Sequence, residues 1–250
     1  LIKSLKKTSP GKIIAAALDG DGDRCLLIES TDEGCRVVDG DEMGDHILRS
    51  ASGKWHLAAS IESDLALAAS LDRLNASVSF SQTAVGDRWL SHELKSKNVE
   101  VLGVEDSGHL VMSAPNHNGG RCLVGDGVAS MMAVLCAMAS KERSLPFLKG
   151  YKRRVSISPS VRTRWTGKNE LADVIEGIAN KNLGDLQRSS LVGEENLMLL
   201  ENQSISIGIR NSGTQAKTNV SLRVVPNHNP YLAQKTVDEI IDLLQRELVD

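Results

Sequence analysis

The chain has 250 residues, of which 41% are hydrophobic and 24% are charged. This composition supplies enough apolar side chains for one or two compact domains and excludes intrinsic disorder. The formal charge of −3, from 29 basic and 32 acidic residues, leaves no electrostatic footprint for DNA or RNA, so we predict no nucleic-acid partner. The longest nearly continuous apolar run, Met131 to Ala139, is shorter than the roughly 20 residues of a membrane span, so we also predict no membrane partner.

Cysteine usage and the N-terminus indicate the compartment. Cys25, Cys35, Cys122 and Cys136 form no C-x-x-C pair and are interpreted as reduced thiols. The segment Leu1 to Pro10 carries three lysines and lacks the apolar core of a secretory signal. We therefore predict a cytoplasmic protein. Because the chain begins with Leu and not Met, we expect it to be a piece of a longer protein.

The first 38 residues are predicted to contain three short strands and an acidic turn. Lys12 to Leu18 is a nearly continuous apolar run that ends at a carboxylate-rich turn. Cys25 to Glu29 is apolar again, and Val37-Val38 follows a break at Glu33-Gly34. The predicted order is strand, loop, strand, turn, strand.

From about Trp55 the predicted strands alternate with helices, which favours a largely parallel α/β layer. In such a layer ligands bind at the loops that follow strand ends. The predicted strands are Trp55 to Ile61, Val78 to Phe80 and Val99 to Val104. The predicted helices are Asp64 to Leu74 capped by Ser63, a helix with Leu90 and Leu94 capped by Asp87, and a helix with Met131 and Leu135 capped by Asp126.

A boundary is predicted at Leu145 to Tyr151, because Pro and Gly disfavour continuation of the preceding helix. The remaining unit is predicted to be α+β. Its predicted strands contain Val155 and Ile157, then Ile205 to Ile209, then Val220 to Val224. Its predicted helices are Asn169 to Asn180 and a last helix with Asn229 as cap and Pro230 at its first position.

The first loop with candidate functional residues is Asp19 to Arg24. Its carboxylates stand at every second position, so Asp19, Asp21 and Asp23 can direct hard oxygen ligands at one divalent cation. An EF-hand is excluded because its glycine position holds Arg24 and its terminal glutamate position holds Ser30. The alternative is an acidic surface turn without a ligand.

The second loop is Gly103 to His109, at the end of a predicted strand. Glu105 can accept two hydroxyl hydrogen bonds, Ser107 can donate and accept, and His109 can do either. Such a set suits a polyol such as a sugar. A strand-end turn with a capping serine explains the pattern about as well.

The third loop is Arg210 to Lys217, between two alternating strands. It combines two cationic ends with the hydroxyls of Ser212 and Thr214 and with Gly213, which exposes backbone N–H groups. The combination suits a dianionic phosphate, and Arg210 offers bidentate recognition. A polar hairpin loop without a ligand is the alternative.

In this order and spacing the three loops resemble those of the α-D-phosphohexomutase superfamily, whose members move a phosphoryl group between C1 and C6 of a hexose. The resemblance covers the whole chain. The family's metal loop is similar to Asp19–Arg24, its G-E-x-S-G-H sugar loop to Glu105–His109, and its R-x-S-G-T phosphate loop to Arg210–Thr214. Taken together, the segments Val85–Trp89, Glu105–His109 and Gly125–Gly127 resemble most the phosphoglucosamine mutase branch, with phosphomannomutases and phosphoglucomutases next.

The resemblance implies a domain arrangement and a set of site residues. Residues 1–38 would be the C-terminal part of domain 2, residues 39–148 the α/β domain 3, and residues 151–250 the smaller α+β domain 4. Implied roles are Mg²⁺ binding by Asp19, Asp21 and Asp23, catalysis by Arg24, substrate binding by Asp87, Glu105, Ser107 and His109, and phosphate binding by Arg210, Ser212, Gly213 and Thr214.

The implied enzyme is an isomerase, an intramolecular phosphotransferase. In this family a phosphoserine donates its phosphoryl group to a hexose phosphate, the bisphosphorylated intermediate turns end for end, and the serine takes the other phosphate back. Mg²⁺ holds the transferring group, and catalysis is mostly positioning and electrostatics.

Two departures from the family pattern bear on activity. Gln215-Ala216 stands where the family usually has Glu-Pro. The T-x-S-H-N-P loop with the phosphoserine has no counterpart, since Ser91-His92 is followed by Glu93 and the segment Pro115 to Asn118 lacks a serine. We therefore predict that the chain is an inactive fragment whose partners are the missing N-terminal domains of the same enzyme.

Two other functions stay open at this point. One is a noncatalytic module that binds a phosphosugar. The other is a metal-dependent phosphatase of the haloacid-dehalogenase type, which the sequence disfavours because the sugar and phosphate loops have no place in that chemistry.

Overall fold

The computed structural model describes residues 9–140 and 144–249, which form two compact units. The first unit extends to Ser63 and continues from Ser70 to Phe147, and the second contains Asp64–Ala69 and continues from Leu148. No helix in these described ranges is both long and apolar enough to cross a bilayer. Residues 1–8, which hold most of the N-terminal segment interpreted above, lie outside the described residues. The assignment of residues 1–38, 39–148 and 151–250 to three family domains stays a prediction.

A three-stranded antiparallel sheet opens the first unit. Its strands are β1 (Ile13–Leu18), β2 (Cys25–Ser30) and β3 (Cys35–Val38), in that order, close to the predicted segments. Leu18 pairs with Cys25, so the acidic turn between them is a hairpin connection whose two ends are held by the ladder.

A five-stranded mixed sheet forms the main layer of this unit. Its strands are β4 (Lys54–Ser60), β5 (Ser77–Thr83), β6 (Glu100–Val104), β7 (Leu110–Pro115) and β8 (Arg121–Gly125), and their order in the sheet is β5-β4-β6-β7-β8. The α/β class is confirmed, but only β5, β4 and β6 are parallel, so the prediction of a largely parallel layer overstated this feature. The hairpin β7-β8 was not predicted, and it is antiparallel because strands joined by a short turn need no crossover helix.

Three helices of the first unit begin beside the loops at the edge of this sheet: α1 (Gly40–Ser50), α3 (Asp87–Leu94) and α4 (Gly127–Ala139). The predicted cap of α4 is confirmed, since Asp126 Oδ1 accepts a hydrogen bond from the Ala129 N–H at 2.8 Å. The predicted cap of α3 is wrong. Gly86 occupies the cap position and Asp87 is the first helical residue, where a carboxylate interacts favourably with the helix dipole.

The helix predicted over Asp64 to Leu74 is shorter in the structure. It consists of α2 (Leu65–Ala69), followed by a 3-10 turn at Leu71–Arg73. The Ser63 hydroxyl donates to the Val104 carbonyl at 3.4 Å, and the assignment of Ser63 as the cap stays a prediction. Asp64 Oδ1 accepts from the Ala66 N–H at 2.9 Å.

The second unit is an antiparallel sheet covered by α5 (Glu170–Leu183) and α6 (Tyr231–Leu248), as the α+β prediction states. Its core includes Trp165, Ile207 and Leu244. Helix α6 begins one residue later than predicted: Pro230 is at the cap position, and Asn229 Oδ1 accepts from the Tyr231 N–H at 3.0 Å. In sheet order the strands are β10 (Gln187–Ser189), β11 (Leu197–Glu201), β12 (Ile205–Asn211), β13 (Thr218–Val224) and β9 (Tyr151–Ile157).

Candidate functional site

The acidic turn brings its three aspartates together. One carboxylate oxygen from each of Asp19, Asp21 and Asp23 lies within 4.8 Å of the others. Asp19 organises the turn, because its Oδ1 accepts from the backbone N–H groups of Gly22 at 3.1 Å and Arg24 at 3.2 Å. Asp23 Oδ1 is buried and has no hydrogen-bond partner among the described residues. Three hard oxygen donors, one of them buried and unsatisfied, fit a divalent cation such as Mg²⁺.

Arg24 lies against the same carboxylates. Its Nε donates to Asp19 Oδ2 at 2.6 Å and lies 3.6 Å from Asp23 Oδ1. Burial would raise the pKa of Asp19, but hydrogen bonds from the Arg24 backbone and guanidinium outweigh it and lower that pKa to about 2. The pKa of Asp23 is raised by burial and by repulsion from Asp19 and Asp21, against the attraction of His109. The turn therefore holds more negative charge than Arg24 compensates.

The predicted sugar loop, Glu105–His109, is a tight turn after β6, in which the Gly108 N–H donates to the Glu105 carbonyl at 3.0 Å. Glu105 is buried, and its Oε1 accepts from the Gly86 N–H at 2.6 Å while its Oε2 accepts from the Ser107 hydroxyl at 3.3 Å. Burial raises the pKa of Glu105, and the Gly86 hydrogen bond opposes that rise. One carboxylate oxygen is thus bound to the start of α3, next to Asp87, and the carboxylate has a defined orientation.

The acidic turn, Asp19–Arg24, and the predicted sugar loop, Glu105–His109, form one continuous structure. Arg24 and His109 pair in an isolated β-bridge, and the Cys25 N–H donates to the Gly108 carbonyl at 3.1 Å. His109 is buried, and its Nε2 lies 3.5 Å from Asp23 Oδ2. A cavity of about 220 Å³ opens at this junction, and residues of both loops line it, among them Asp19, Arg24 and Ser107.

Two helix N-termini support these loops. The N–H of Gly40, the first residue of α1, donates to the Asp106 carbonyl at 3.2 Å, and that of Gly127, the first residue of α4, donates to the Gly22 carbonyl at 2.9 Å. A Cβ on Gly40 would overlap the Glu105 carbonyl oxygen. We missed α1 from the sequence, although its capping box of Asp39 and Glu42 was a usable signal.

The predicted phosphate loop lies in the second unit, after β12. Ser212 is buried, and its Oγ accepts from the N–H groups of Thr214 at 3.4 Å and Gln215 at 3.3 Å. Gly213 and Thr214 are exposed. Arg210 Nη1 lies 3.5 Å from Glu194 Oε1, so the predicted phosphate ligand already has an acidic neighbour.

Sequence reasoning missed the residues that hold this loop in place. Arg162 Nη1 donates to the Ser212 carbonyl at 2.6 Å. Asn211 Nδ2 donates to the carbonyls of Arg162 and Trp165, both at 2.9 Å. These partners are about fifty residues away in the chain, and no spacing in the sequence connects them with the loop.

Comparison with known proteins places this site in a family context. Residues 39–150 match the family described as phosphoglucomutase/phosphomannomutase, alpha/beta/alpha domain III. The chain is similar to the phosphoglucosamine mutase of Actinobacillus pleuropneumoniae serotype 5b, with 31% identity over 254 residues, and to that of Haemophilus ducreyi, with 30% identity over 238 residues. These alignments cover 98% and 93% of this chain, and 50% and 47% of the two relatives. The chain thus spans about half the length of the curated relatives it matches.

A solved structure shares the fold. A phosphoglucomutase/phosphomannomutase family protein from Burkholderia thailandensis matches with a TM-score of 0.55 and 16% sequence identity, over 93% of this chain and 46% of that one. The family match and the relatives together support the assignment of this chain to the α-D-phosphohexomutase superfamily.

Proposed function

We propose that this chain carries the metal, sugar and distal phosphate sites of a phosphohexomutase that moves a phosphoryl group between C6 and C1 of a hexose phosphate. The observation that carries the proposal is the junction of the two loops, where the Arg24–His109 bridge joins the three aspartates to the buried Glu105. Glucosamine phosphate is the proposed substrate, because the relatives named above are phosphoglucosamine mutases. Phosphomannomutase or phosphoglucomutase activity is the alternative.

In this proposal Asp19, Asp21 and Asp23 hold Mg²⁺. When bound, the ion neutralises negative charge on the oxygens of the transferring phosphoryl group. Arg24 is 47% exposed and is already directed at these carboxylates, so it can bind a phosphoryl oxygen beside them. Its hydrogen bond to Asp19 fixes the guanidinium before substrate arrives.

The sugar hydroxyls are assigned to the second loop. Glu105 Oε2 and the Ser107 hydroxyl already form a donor and acceptor pair at 3.3 Å, which a diol of the ring can replace. Asp87 and His109 complete the proposed substrate contacts, and His109 also lies against Asp23. Arg210, Ser212, Gly213 and Thr214 would bind the phosphate that is not reacting.

The nucleophile of the proposed reaction is a phosphoserine, and the 250 residues contain no loop of the required T-x-S-H-N-P type. We therefore propose that the chain acts with further domains of the same enzyme and does not turn over by itself. The same observation favours a second candidate, a noncatalytic module that binds a phosphosugar.

Calorimetry and a coupled mutase assay on the 250-residue chain test these proposals together. We expect Mg²⁺-dependent binding of glucosamine 6-phosphate, weaker binding of mannose 6-phosphate and glucose 6-phosphate, and no turnover. Sustained turnover would contradict the placement of the nucleophile outside the chain. Absence of binding for all three sugar phosphates would contradict the assigned sites, and phosphate release from a generic ester that Asp19→Asn abolishes would favour the haloacid-dehalogenase alternative.

A further inference from the structure

An arginine outside the predicted phosphate loop lies directly against it. Arg162 begins a 3-10 turn, Arg162–Arg164, in the segment that follows β9. Its Nη1 donates to the Ser212 carbonyl at 2.6 Å, and its own carbonyl accepts from Asn211 Nδ2 at 2.9 Å. Both the side chain and the backbone of Arg162 are hydrogen-bonded to the start of the loop, so the guanidinium has a defined position beside it.

The two arginines at this loop differ in the charges around them. Arg210 and Glu194 approach to 3.5 Å, and their side chains are only 18% and 13% exposed. Arg162 is exposed, and within the part of the chain that the structure describes no carboxylate pairs with its guanidinium. An anion that reaches the loop would therefore find the charge of Arg210 shared with Glu194 and the charge of Arg162 uncompensated.

Arg162 also has donors to spare. A guanidinium carries five N–H donors, and among the described residues only the Ser212 carbonyl accepts from it, through Nη1. The remaining donors can bind a phosphate in the two-point manner that suits arginine. The loop is accessible, because Gly213 is exposed and, apart from Gly213 and its two chain neighbours, no described residue has a heavy atom within 4 Å of the position that its Cβ would take.

We propose that Arg162 is a second cationic ligand of the phosphate group that binds at Arg210–Thr214. Its bond to the Ser212 carbonyl positions the guanidinium, and its free N–H groups bind phosphate oxygens. This inference rests on the proposed function, since the ligand is the non-reacting phosphate of a hexose phosphate. It adds a residue from a distant segment to the four that the loop supplies.

Calorimetry with glucosamine 6-phosphate in excess Mg²⁺ tests the inference on the whole chain. Arg162→Gln retains a donor for the Ser212 carbonyl but removes the charge, and we expect affinity to fall by about tenfold or more, as for loss of a charge-assisted bond. Arg162→Lys keeps the charge without the two-point geometry and should weaken binding by severalfold. Arg164→Gln is the matched control, because Arg164 lies on the same turn and donates to the Glu247 carbonyl at 3.3 Å, and it should leave affinity nearly unchanged.

The pH dependence of the ligand's charge distinguishes direct binding by Arg162 from a purely structural role. A phosphate monoester acquires its second charge near about pH 6, so a direct ligand should lose more affinity on Arg162→Gln at about pH 8 than at about pH 5. Equal losses at both pH values would overturn the inference. If Arg162→Gln does not fold, wild-type affinity in Arg162→Lys would overturn it as well.

The two proposals fail in different ways. Wild-type protein that binds no sugar phosphate overturns the proposed function itself. Wild-type binding that Arg210→Gln weakens and Arg162→Gln leaves unchanged overturns only the role of Arg162.

Discussion

Glu105 is a buried carboxylate, and its burial disfavours the ionised form that its proposed role as an acceptor for sugar hydroxyls requires. It is 5% exposed, and burial raises its pKa above the ordinary value of 4.5, against the Gly86 hydrogen bond that lowers it. A carboxyl whose pKa is raised by folding stabilises the folded state at pH values below its unfolded pKa. That contribution is lost as the pH rises through the folded pKa, so ionised Glu105 costs stability at neutral pH.

We predict that Glu105→Gln separates stability from ligand binding. At about pH 8 its free energy of unfolding should equal or exceed that of the wild type, and the difference should shrink as the pH falls below about 4.5. Affinity for glucosamine 6-phosphate should drop by about tenfold, because a charged acceptor for hydroxyls is lost. Chemical denaturation across this pH range and calorimetry measure the two quantities.

A neighbouring substitution provides the control for that experiment. Glu100→Gln changes an exposed residue at the start of β6 and should alter neither quantity. A Glu105→Gln protein that is less stable at every pH would mean that the hydrogen bonds of the carboxylate outweigh its burial.

At the scale of elements, the site depends on two helices that begin with glycine. α1 and α4 each follow a capping aspartate, Asp39 or Asp126, and each donates its first N–H to a loop of the site. Close approach of helix and loop backbones is possible because the first helical residue has no Cβ. The sugar loop therefore takes its position from α1 as well as from the sheet that precedes it.

We predict that Gly40→Ala both destabilises the protein and weakens sugar-phosphate binding. The added methyl would overlap the Glu105 carbonyl oxygen, and such overpacking costs about 1–3 kcal/mol. Gly177→Ala is the control, since Gly177 is exposed within α5 with nothing within 4 Å of its Cβ position, and alanine there should stabilise by about 0.5–1 kcal/mol. Denaturation measures the stability of both variants. Unchanged stability in Gly40→Ala would contradict the tight contact between α1 and the loop.

At the scale of the whole molecule, the proposed binding groups are divided between two units with separate cores. Leu102 is fully buried in the first unit and Ile207 in the second. The three aspartates belong to the first unit, and Arg210–Thr214 belongs to the second. Ligands of the two groups should therefore stabilise different units.

We predict two unfolding transitions in calorimetric heating. Mg²⁺ should raise the temperature of only one of them. Leu102→Ala and Ile207→Ala each remove a buried side chain at a cost of about 2–5 kcal/mol. Each substitution should lower the temperature of one transition and so assign that transition to one unit. At about 100 times its dissociation constant, Mg²⁺ adds about 2.7 kcal/mol to the unit that binds it, which should be the one that Leu102→Ala lowers.

Asp21→Asn should abolish this effect of Mg²⁺, because Asp21 is exposed and offers an oxygen to the cluster. Asp32→Asn, in the exposed turn between β2 and β3, is the matched control and should leave the Mg²⁺ effect intact. A Mg²⁺ effect on the other transition would contradict the metal assignment.

What the sequence alone determined is local. The alternation of apolar residues located β12 and β13, the Asp126 cap located the start of α4, and the spacing of Asp19, Asp21 and Asp23 predicted a cluster whose carboxylates do converge. These features depend on neighbours within a few residues, and such interactions are encoded in residue type and spacing.

Contacts between residues that are distant in the chain could not be predicted from the sequence. Four such contacts join residues from 19 to 86 positions apart. They are the approach of His109 to Asp23, the hydrogen bond from Gly86 to Glu105, the close packing of Gly40 against the Glu105 carbonyl, and the hydrogen bond from Arg162 to Ser212. The same holds for the segment after β4, where the Ser63 hydroxyl bonds to the Val104 carbonyl of β6. Such contacts exist only after the sheets have packed, because packing and not local propensity sets the distance between segments remote in sequence.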